Sequence, residues 1–352
     1  MNSLHRGEGE LLDTIRRRFR ELSPPPPRGM GDDCAVLLPG GREILVTTDC
    51  LIEQEHFRRE EPAYFVGRKA IAVNLSDVAA MGGHPTGFLM TLALPAGTRR
   101  RYVGDLIEGL ASASREHGLV LVGGDLSRSP GPLVISITVF GRTGPPRGAG
   151  LLKRSGARSG DGVYVSGPLG GSAAGRLFLD AGWCLRLKGH QAVGVSPPAP
   201  AHRARRGGHR LRRLALAALK RHMDPAPRLE LGRRLRRIAS AAIDLSDGLS
   251  IDLARLAAAS RVGVRLIRPA LPIADEARGC EELGTEPSRL ALDGGEDYEL
   301  LFTVPPERER RLAGLDALLI GRCVGRRQGL FLIDARGRRQ PLRPRGFDHF
   351  RR

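Results

Sequence analysis

The sequence predicts an α/β chain of two domains, and three observations carry that prediction. Its 352 residues exceed the size of a usual single domain. Short apolar runs alternate with longer segments whose apolar residues recur at helical spacing, in both halves. Between the halves, "GRTGPPRGAG" at 141–150 has the Gly and Pro content of a linker. The boundary then falls so that an N-terminal domain spans 1–148 and a C-terminal domain spans 149–352.

Taken in order, the N-terminal segment reads as an amphipathic helix through Leu11, Leu12, Ile15 and Phe19, without the apolar core of a secretory signal. "SPPPP" at 23–27 is a stiff, extended lead-in. Strands follow at Cys34–Leu38, Glu43–Thr48, Phe88–Leu94, Leu119–Val122 and Leu133–Phe140, with helices at Pro62–Met81 and Arg99–His117. In the second half the pattern gives strands Gly162–Ser166, Ala241–Ile243, Val262–Ile267, Tyr298–Val304, Ala317–Gly321 and Leu330–Ile333. Helices there are Ser172–Asp180, Arg228–Ile238 and Leu249–Ala259. Residues 189–213, rich in Pro, Gly, His and Arg and lacking aromatics, read as a flexible surface insertion within a basic stretch at about 185–222.

Charge separates function classes. The chain carries +18, which invites nucleic acid as a partner. Residues 185–222 and 336–352 together supply +16 of it, so the rest is nearly neutral and the basic charge reads as two appendages. With 4% aromatic residues, base-stacking platforms are poorly supplied, and no specific nucleic acid is expected. No apolar run is long enough to span a bilayer, so no membrane partner is expected. Five scattered cysteines without a CxxC pair fit reduced thiols in the cytoplasm.

The informative residues are acidic. "NLSDVAAMG", ending its motif at Asp77, precedes "VGGDLSRSP" with Gly124 and Asp125. In the second half "DLSDGLSID", with Asp244, Ser246 and Asp247, precedes "GGED" with Glu296. Ser76 to Gly123 is 47 residues and Ser246 to Gly294 is 48, so one pair of devices occurs twice. This suggests two related halves, each presenting carboxylates near a helix start and beside a glycine pair. Two further acidic turns, "GMGDDCAVL" with Asp32 and Asp33 and "VTTDCL" with Thr47, Thr48 and Asp49, read as strand edges facing a crevice. Asp32 alone reads as a turn or cap residue. Carboxylate and hydroxyl oxygens without His or Cys select hard cations, Mg²⁺ first and Mn²⁺ as a substitute. Such a set suits phosphoryl transfer, where metals position and neutralise a nucleoside triphosphate. No lysine follows a glycine as in a Walker loop, and the HRD and DFG kinase motifs are absent.

These segments, with "KRSGARSGDGVYVSGPLGGSAAG", "GGEDYELLF" and the terminal "GFDHF", resemble the thiamine-monophosphate kinase family of the aminoimidazole-ribonucleotide-synthetase-like ATP-binding superfamily. The likeness runs in register over almost the whole chain outside 185–220. It implies two α/β (α+β) domains with mixed sheets flanked by helices, the N-terminal one binding ATP and metal and pairing across a homodimer. It implies transfer of the γ-phosphoryl group of ATP to thiamine monophosphate with several Mg²⁺ ions, ATP being a co-substrate. By motif, the metal ligands would be Asp33, Thr47, Thr48, Asp49, Asp77, Asp125, Asp244 and Asp247. Gly124, Asp125, Arg154 and Ser246 would contact ATP, and His56, Glu296 and Phe347 the thiamine side. His56 reads equally as a packed turn residue and Phe347 as C-terminal core, while the place of Arg154 before a Gly turn favours a phosphate contact over a plain surface charge. No residue is implied as a general base, because the acceptor phosphate is largely ionised, its second pKa being about 6. Two departures stand out: "GGDLS" leaves one hydroxyl, Ser127, and Asp293 adds a negative charge beside Glu296. Another ATP-dependent enzyme of the superfamily, or a nucleic-acid-binding protein using the Arg-rich segments, are the alternatives.

Overall fold

The computed structural model describes residues 8–19, 21–24, 28–144, 150–198 and 208–347. The linker tip, the proposed 148/149 boundary and the end of "GFDHF" lie outside them. The first half contains α1 (Glu8–Arg18), β1 (Ala35–Leu37), β2 (Ile44–Ile52), α2 (Ala63–Ala80), β3 (His84–Pro95), α3 (Arg100–His117), β4 (Val120–Ser129) and β5 (Val134–Arg142). Its sheet runs β1-β2-β5-β3-β4, antiparallel except for the parallel pair β3 and β4.

The second half contains β6 (Gly162–Val165), α4 (Gly171–Asp180), β7 (Cys184–Lys188), β8 (Gln191–Ser196), α5 (Gly208–Met223) and α6 (Leu229–Leu235). Then come β9 (Ala241–Asp244), α7 (Leu249–Ser260), β10 (Gly263–Ile267), α8 (Asp275–Gly279), α9 (Pro287–Asp293), β11 (Leu300–Val304), β12 (Leu318–Val324), β13 (Leu330–Ile333) and β14 (Arg339–Pro341). Seven of these strands form a mixed sheet, β14-β13-β10-β12-β6-β11-β9, with β10 and β13 parallel; β7 and β8 pair as a separate hairpin.

Helix α2 is the spine of the molecule. It is apolar on nearly every side, which marks a helix covered all round. It packs on the first sheet, on α3 and on α6 of the second half. A Cβ on Gly109 of α3 would sit 1.9 Å from the Tyr64 carbonyl oxygen, so the two helices touch backbone to backbone. Helix α3 is amphipathic and stops at Gly118, which takes the left-handed φ of 65° that ends helices.

Three expectations are corrected. Strand β4 does not end at Val122: its ladder with β3 runs on to Ser129, so Gly123, Gly124 and Asp125 lie inside an edge strand rather than at a turn. Glycine is required at 124 because a Cβ there would stand 1.8 Å from the Met90 carbonyl oxygen. Second, the described parts of 185–222, residues 185–198 and 208–222, are not a flexible appendage. Residues 184–196 form the β7–β8 hairpin, and α5 buries Leu214, Ala215, Ala218, Leu219, His222 and Met223, of which Ala215, Ala218, Leu219 and Met223 share a core with Phe178 and Trp183. Leucines and alanines at spacings of three and four supply that face despite the intervening arginines; 199–207 lie outside the described residues. Third, the equally spaced acidic devices are not one local structure used twice. The first pair sits near the C-terminal end of α2 and inside β4, the second in the loops before α7 and before β11.

Candidate active site

The site is built from α2 outward. Two helical turns separate Lys69 from Ser76, so both project along one stripe towards the second half. Ser76 Oγ donates to Asp244 Oδ2 at 2.8 Å, at the end of β9, and Lys69 Nζ pairs with Glu296 Oε1 at 2.6 Å. One position on, Asp77 turns to the first sheet, where Thr47 Oγ1 donates to its Oδ2 at 2.5 Å. Asn74 accepts the Asp49 backbone N–H at 3.1 Å and so ties α2 to mid-β2.

Three carboxylates from separate elements converge here. Asp33, Asp77 and Asp244 each offer an oxygen, and these lie within 4.8 Å of one another. Burial, then the neighbouring carboxylates, push Asp77 and Asp244 well above the usual carboxylate range. Asp33 is also raised, chiefly by burial and against the pull of Arg154. Arg154 Nη2 donates to Asp33 Oδ1 at 2.7 Å, and its backbone N–H to Asp32 Oδ1 at 2.6 Å. The other Asp33 oxygen, Oδ2, is buried with no hydrogen-bond partner. A buried carboxylate oxygen left bare beside two more carboxylates fits a cation far better than it fits a metal-free core. The donor set is all oxygen, as Mg²⁺ requires.

The other expected ligands divide. Thr47 and, electrostatically, Asp49 belong with Asp77. Thr48 does not: strand alternation puts it on the opposite face, where its hydroxyl donates to the Ile137 carbonyl. Thr47, Thr48 and Asp49 sit mid-strand rather than at a strand edge. Asp247, in the loop before α7, pairs with Arg255. Asp125 is apart from the cluster, exposed on β4, accepting from Ser127 Oγ at 2.6 Å. Gly124 lies beside it, while Ser246 lies in the second-half loop and accepts the Glu296 N–H through its carbonyl at 2.7 Å. Asp293 does not crowd Glu296, since it accepts from Ser250 Oγ at 2.7 Å where α7 meets α9.

On the expected thiamine side, His56 is a turn residue whose Nδ1 accepts the Ile52 N–H at 3.0 Å. Its carbonyl lies 3.3 Å from Lys69 Nζ, which links it to Glu296. Phe347 is 43% exposed, so it is not C-terminal core; its N–H donates to the Asp247 carbonyl at 3.1 Å. Glu296 and Tyr298 both have left-handed φ, 65° and 49°, strain typical of functional loops. Sequence reasoning missed Lys69 and His222, both 1% exposed and both against Glu296. For Lys69 a signal existed: one lysine in the middle of an apolar helix. A separate cavity of about 620 Å³, between α2, the hairpin and α5, is lined by Tyr64, Arg68, His190, Arg221 and Asp297 among others, and by none of the expected site residues.

Residues 31–143 match the family described as AIR synthase related protein, N-terminal domain. The chain is 35% identical to the thiamine-monophosphate kinase of Rhodopirellula baltica, over 97% of each chain. It is 35% identical to that of Escherichia coli K12, over 98% of each. Among solved structures, AaThiL complexed with AMPPCP and TMP superposes with a TM-score of 0.81 at 33% identity, covering 99% of both chains. The hydrogenase maturation protein HypE, in a complex with HypF, shares the fold alone at 17% identity and a TM-score of 0.69.

Proposed function

The chain belongs to the thiamine-monophosphate kinase family, and from that premise we propose how its own residues carry out the family's reaction. It is a phosphotransferase of the aminoimidazole-ribonucleotide-synthetase-like fold, acting on ATP and thiamine monophosphate to give ADP and thiamine diphosphate. A terminal oxygen of the acceptor phosphate attacks the γ-phosphorus of ATP as the bond to the β-phosphate oxygen breaks. The acceptor is largely ionised, so no side chain has to take a proton.

Asp33, Asp77 and Asp244, with Thr47 and Asp49, would hold Mg²⁺, which neutralises charge on the transferring phosphates when bound. Arg154, anchored on Asp33, stands where a guanidinium can meet a phosphate oxygen. Ser246, Asp247 and Gly124 are the further nucleotide and metal contacts of this reading. Glu296, His56 and Phe347 orient thiamine. The observation that carries the reading is the bare, buried Asp33 Oδ2 among carboxylates drawn from both halves.

A homodimer is part of the proposal. Strand β4 is a sheet edge with Val120, Leu121, Val122 and Leu126 at 61%, 53%, 60% and 72% exposed, a surface proteins usually cover. Asp125 and Gly124 lie on that strand, so a second copy would enclose them. Among the described residues no helix is long and apolar enough to cross a membrane. The unpaired cysteines suit a reducing cytoplasm.

The test is conversion of thiamine monophosphate to the diphosphate by purified protein with ATP and Mg²⁺, with little turnover of free thiamine. Robust turnover of free thiamine, or none of the monophosphate with every component present, refutes the assignment.

A further inference from the structure

Glu296 can serve thiamine in two ways, as counter-ion to the thiazolium or as acceptor for the pyrimidine's exocyclic amine. The surroundings of its carboxylate decide between them. Oε1 is already paired with Lys69 at 2.6 Å, and Lys69 is 1% exposed, so that cation is held against the carboxylate away from solvent. Lys69 also donates to the neutral His56 carbonyl and faces Glu61. A second cation on the same carboxylate would lie close to a buried ammonium and be repelled by it. Oε2 is 3.3 Å from His222 Nδ1, and Ser172 Oγ lies 3.1 Å from the same ring nitrogen. An ionised carboxylate only accepts, which favours the Nδ1–H tautomer of His222. Burial, then Lys69, hold His222 down at about 3, so its ring is neutral at neutral pH.

The asymmetry of the trio is what points to a ligand. Lys69 and His222 are sealed, while the Glu296 side chain keeps 27% exposure and sits at a strained φ of 65°. A salt bridge serving stability alone could be replaced by apolar side chains at no cost. Here one member stays open.

We propose that Glu296 recognises the exocyclic amine of thiamine's pyrimidine by accepting its hydrogen bond, and that Lys69 and His222 are positioning residues that neutralise and aim that carboxylate. The inference rests on the reading of Glu296 as a substrate contact. Lys69 and His222 act through Glu296 and touch no reacting atom. Burial raises Glu296, but Lys69 together with His222 and His56 outweighs it, so the group is lowered overall and remains an acceptor. The other charged groups nearby are Glu61, which faces Lys69, and Arg58 and Arg176, which face His222; the Tyr298 hydroxyl is kept neutral by burial and by Glu296 itself.

The experiment compares thiamine monophosphate with the analogue whose exocyclic amine is replaced by oxygen. Wild type should discriminate against the analogue in kcat/KM by at least about tenfold, because the amine's partner would be left unpaired. Lys69→Met removes the charge that keeps Glu296 ionised. Its discrimination should therefore shrink as pH falls from 8 to 6, while wild type stays flat, with KM for thiamine monophosphate rising far more than kcat falls. Lys69→Arg should restore the flat profile, and His222→Gln should raise KM for thiamine monophosphate without touching KM for ATP. Lys69→Met with Glu296→Gln removes both charges, guards against misfolding, and should discriminate no worse than Glu296→Gln alone. If Glu296→Gln leaves KM for thiamine monophosphate unchanged, the functional reading of Glu296 fails. If that variant raises KM equally for both compounds, or the Lys69 variants never alter the ratio, the hydrogen-bond inference is overturned while the reading stands.

Discussion

At the scale of single residues, Asp77 is where stability and function oppose each other. Burial and the charges of Asp49, Asp244 and Asp33 all raise it, so the metal-free protein stores like-charge repulsion. Asp77→Asn should abolish activity yet raise metal-free stability, by about 1 kcal/mol at an effective dielectric near ~20. With Mg²⁺ and a non-hydrolysable ATP analogue the order should reverse, since wild type gains ligand-linked stability that the variant lacks. A variant less stable in both melts would show that Asp77 serves the helix rather than a shared metal. Asp297 gives a pH counterpart. Burial pushes it up to about 7, against the Gly170 and Ser172 N–H groups that favour its ionised form. The folded state then binds a proton that the unfolded chain, near 3.8, has released. Stability therefore falls as pH rises from about 4 to about 7 and levels off above, by the sign of the linkage. Asp297→Asn should flatten that part of the Tm-against-pH curve; identical curves would refute the shift. The carboxylates were legible in the sequence because the same pair of acidic motifs beside glycines occurs twice, at separations of 47 and 48 residues. Lys69 was legible only as a lone lysine in an apolar helix and His222 not at all, because the role of each is defined by Glu296, whose place beside them depends on the packing of three elements from distant parts of the chain.

At the scale of elements, the sequence showed where most helices and strands lie and blurred what they do. Alternation located β4 as far as Val122, but the glycines that seemed to end it are what let the ladder with β3 continue. Because β4 is then a long apolar edge, Leu126→Lys should leave a folded monomer. Light scattering that still finds a dimer would remove this strand from the interface. Helix α5 was hidden by composition: ten basic residues and no acid over 185–222 looked like solvent-exposed chain, while the apolar face every third and fourth position was enough to fold it. The α2–α3 contact gives a sharper test of packing against propensity. Alanine is the better helix former by roughly 1 kcal/mol. Yet a Cβ at Gly109 would meet the Tyr64 carbonyl at 1.9 Å, and neither backbone can yield easily. Gly109→Ala should thus lower Tm and also activity, by shifting the helix that carries Lys69, Ser76 and Asp77. A raised Tm would mean the helices are free to separate.

At the scale of the whole molecule, the two halves share more than a cleft. The core around α2 includes Leu229, Leu231 and Leu235 of α6 and Tyr298, Leu300 and Phe302 of the second half, packed with Leu45, Ile71 and Val78 of the first. A Cβ on Gly232 would lie 2.0 Å from the Ala79 carbonyl oxygen, so α6 rests directly on α2. Polar ties cross the same boundary: Ser76 to Asp244, Arg154 to Asp33, and Lys69 to Glu296. A division near residue 148 is therefore a proposal about the order of elements along the chain rather than about independent stability. Freed of the second half, α2 would expose the side that α6 covers, and the Lys69 ammonium would lose the Glu296 carboxylate it pairs with. The energetic consequence is one-sided, because the uncovered apolar area costs about 25 cal/mol per Å² and no new contact offsets it. The full chain should accordingly melt in a single transition, with calorimetric and van't Hoff enthalpies equal. A fragment of residues 28–144 should show no cooperative melt by circular dichroism and should bind an apolar dye. Two resolved transitions in the full chain, or a cooperative melt of the fragment, would show that the first sheet and α2 stand without the second half, and would make the cleft a docking surface between autonomous domains.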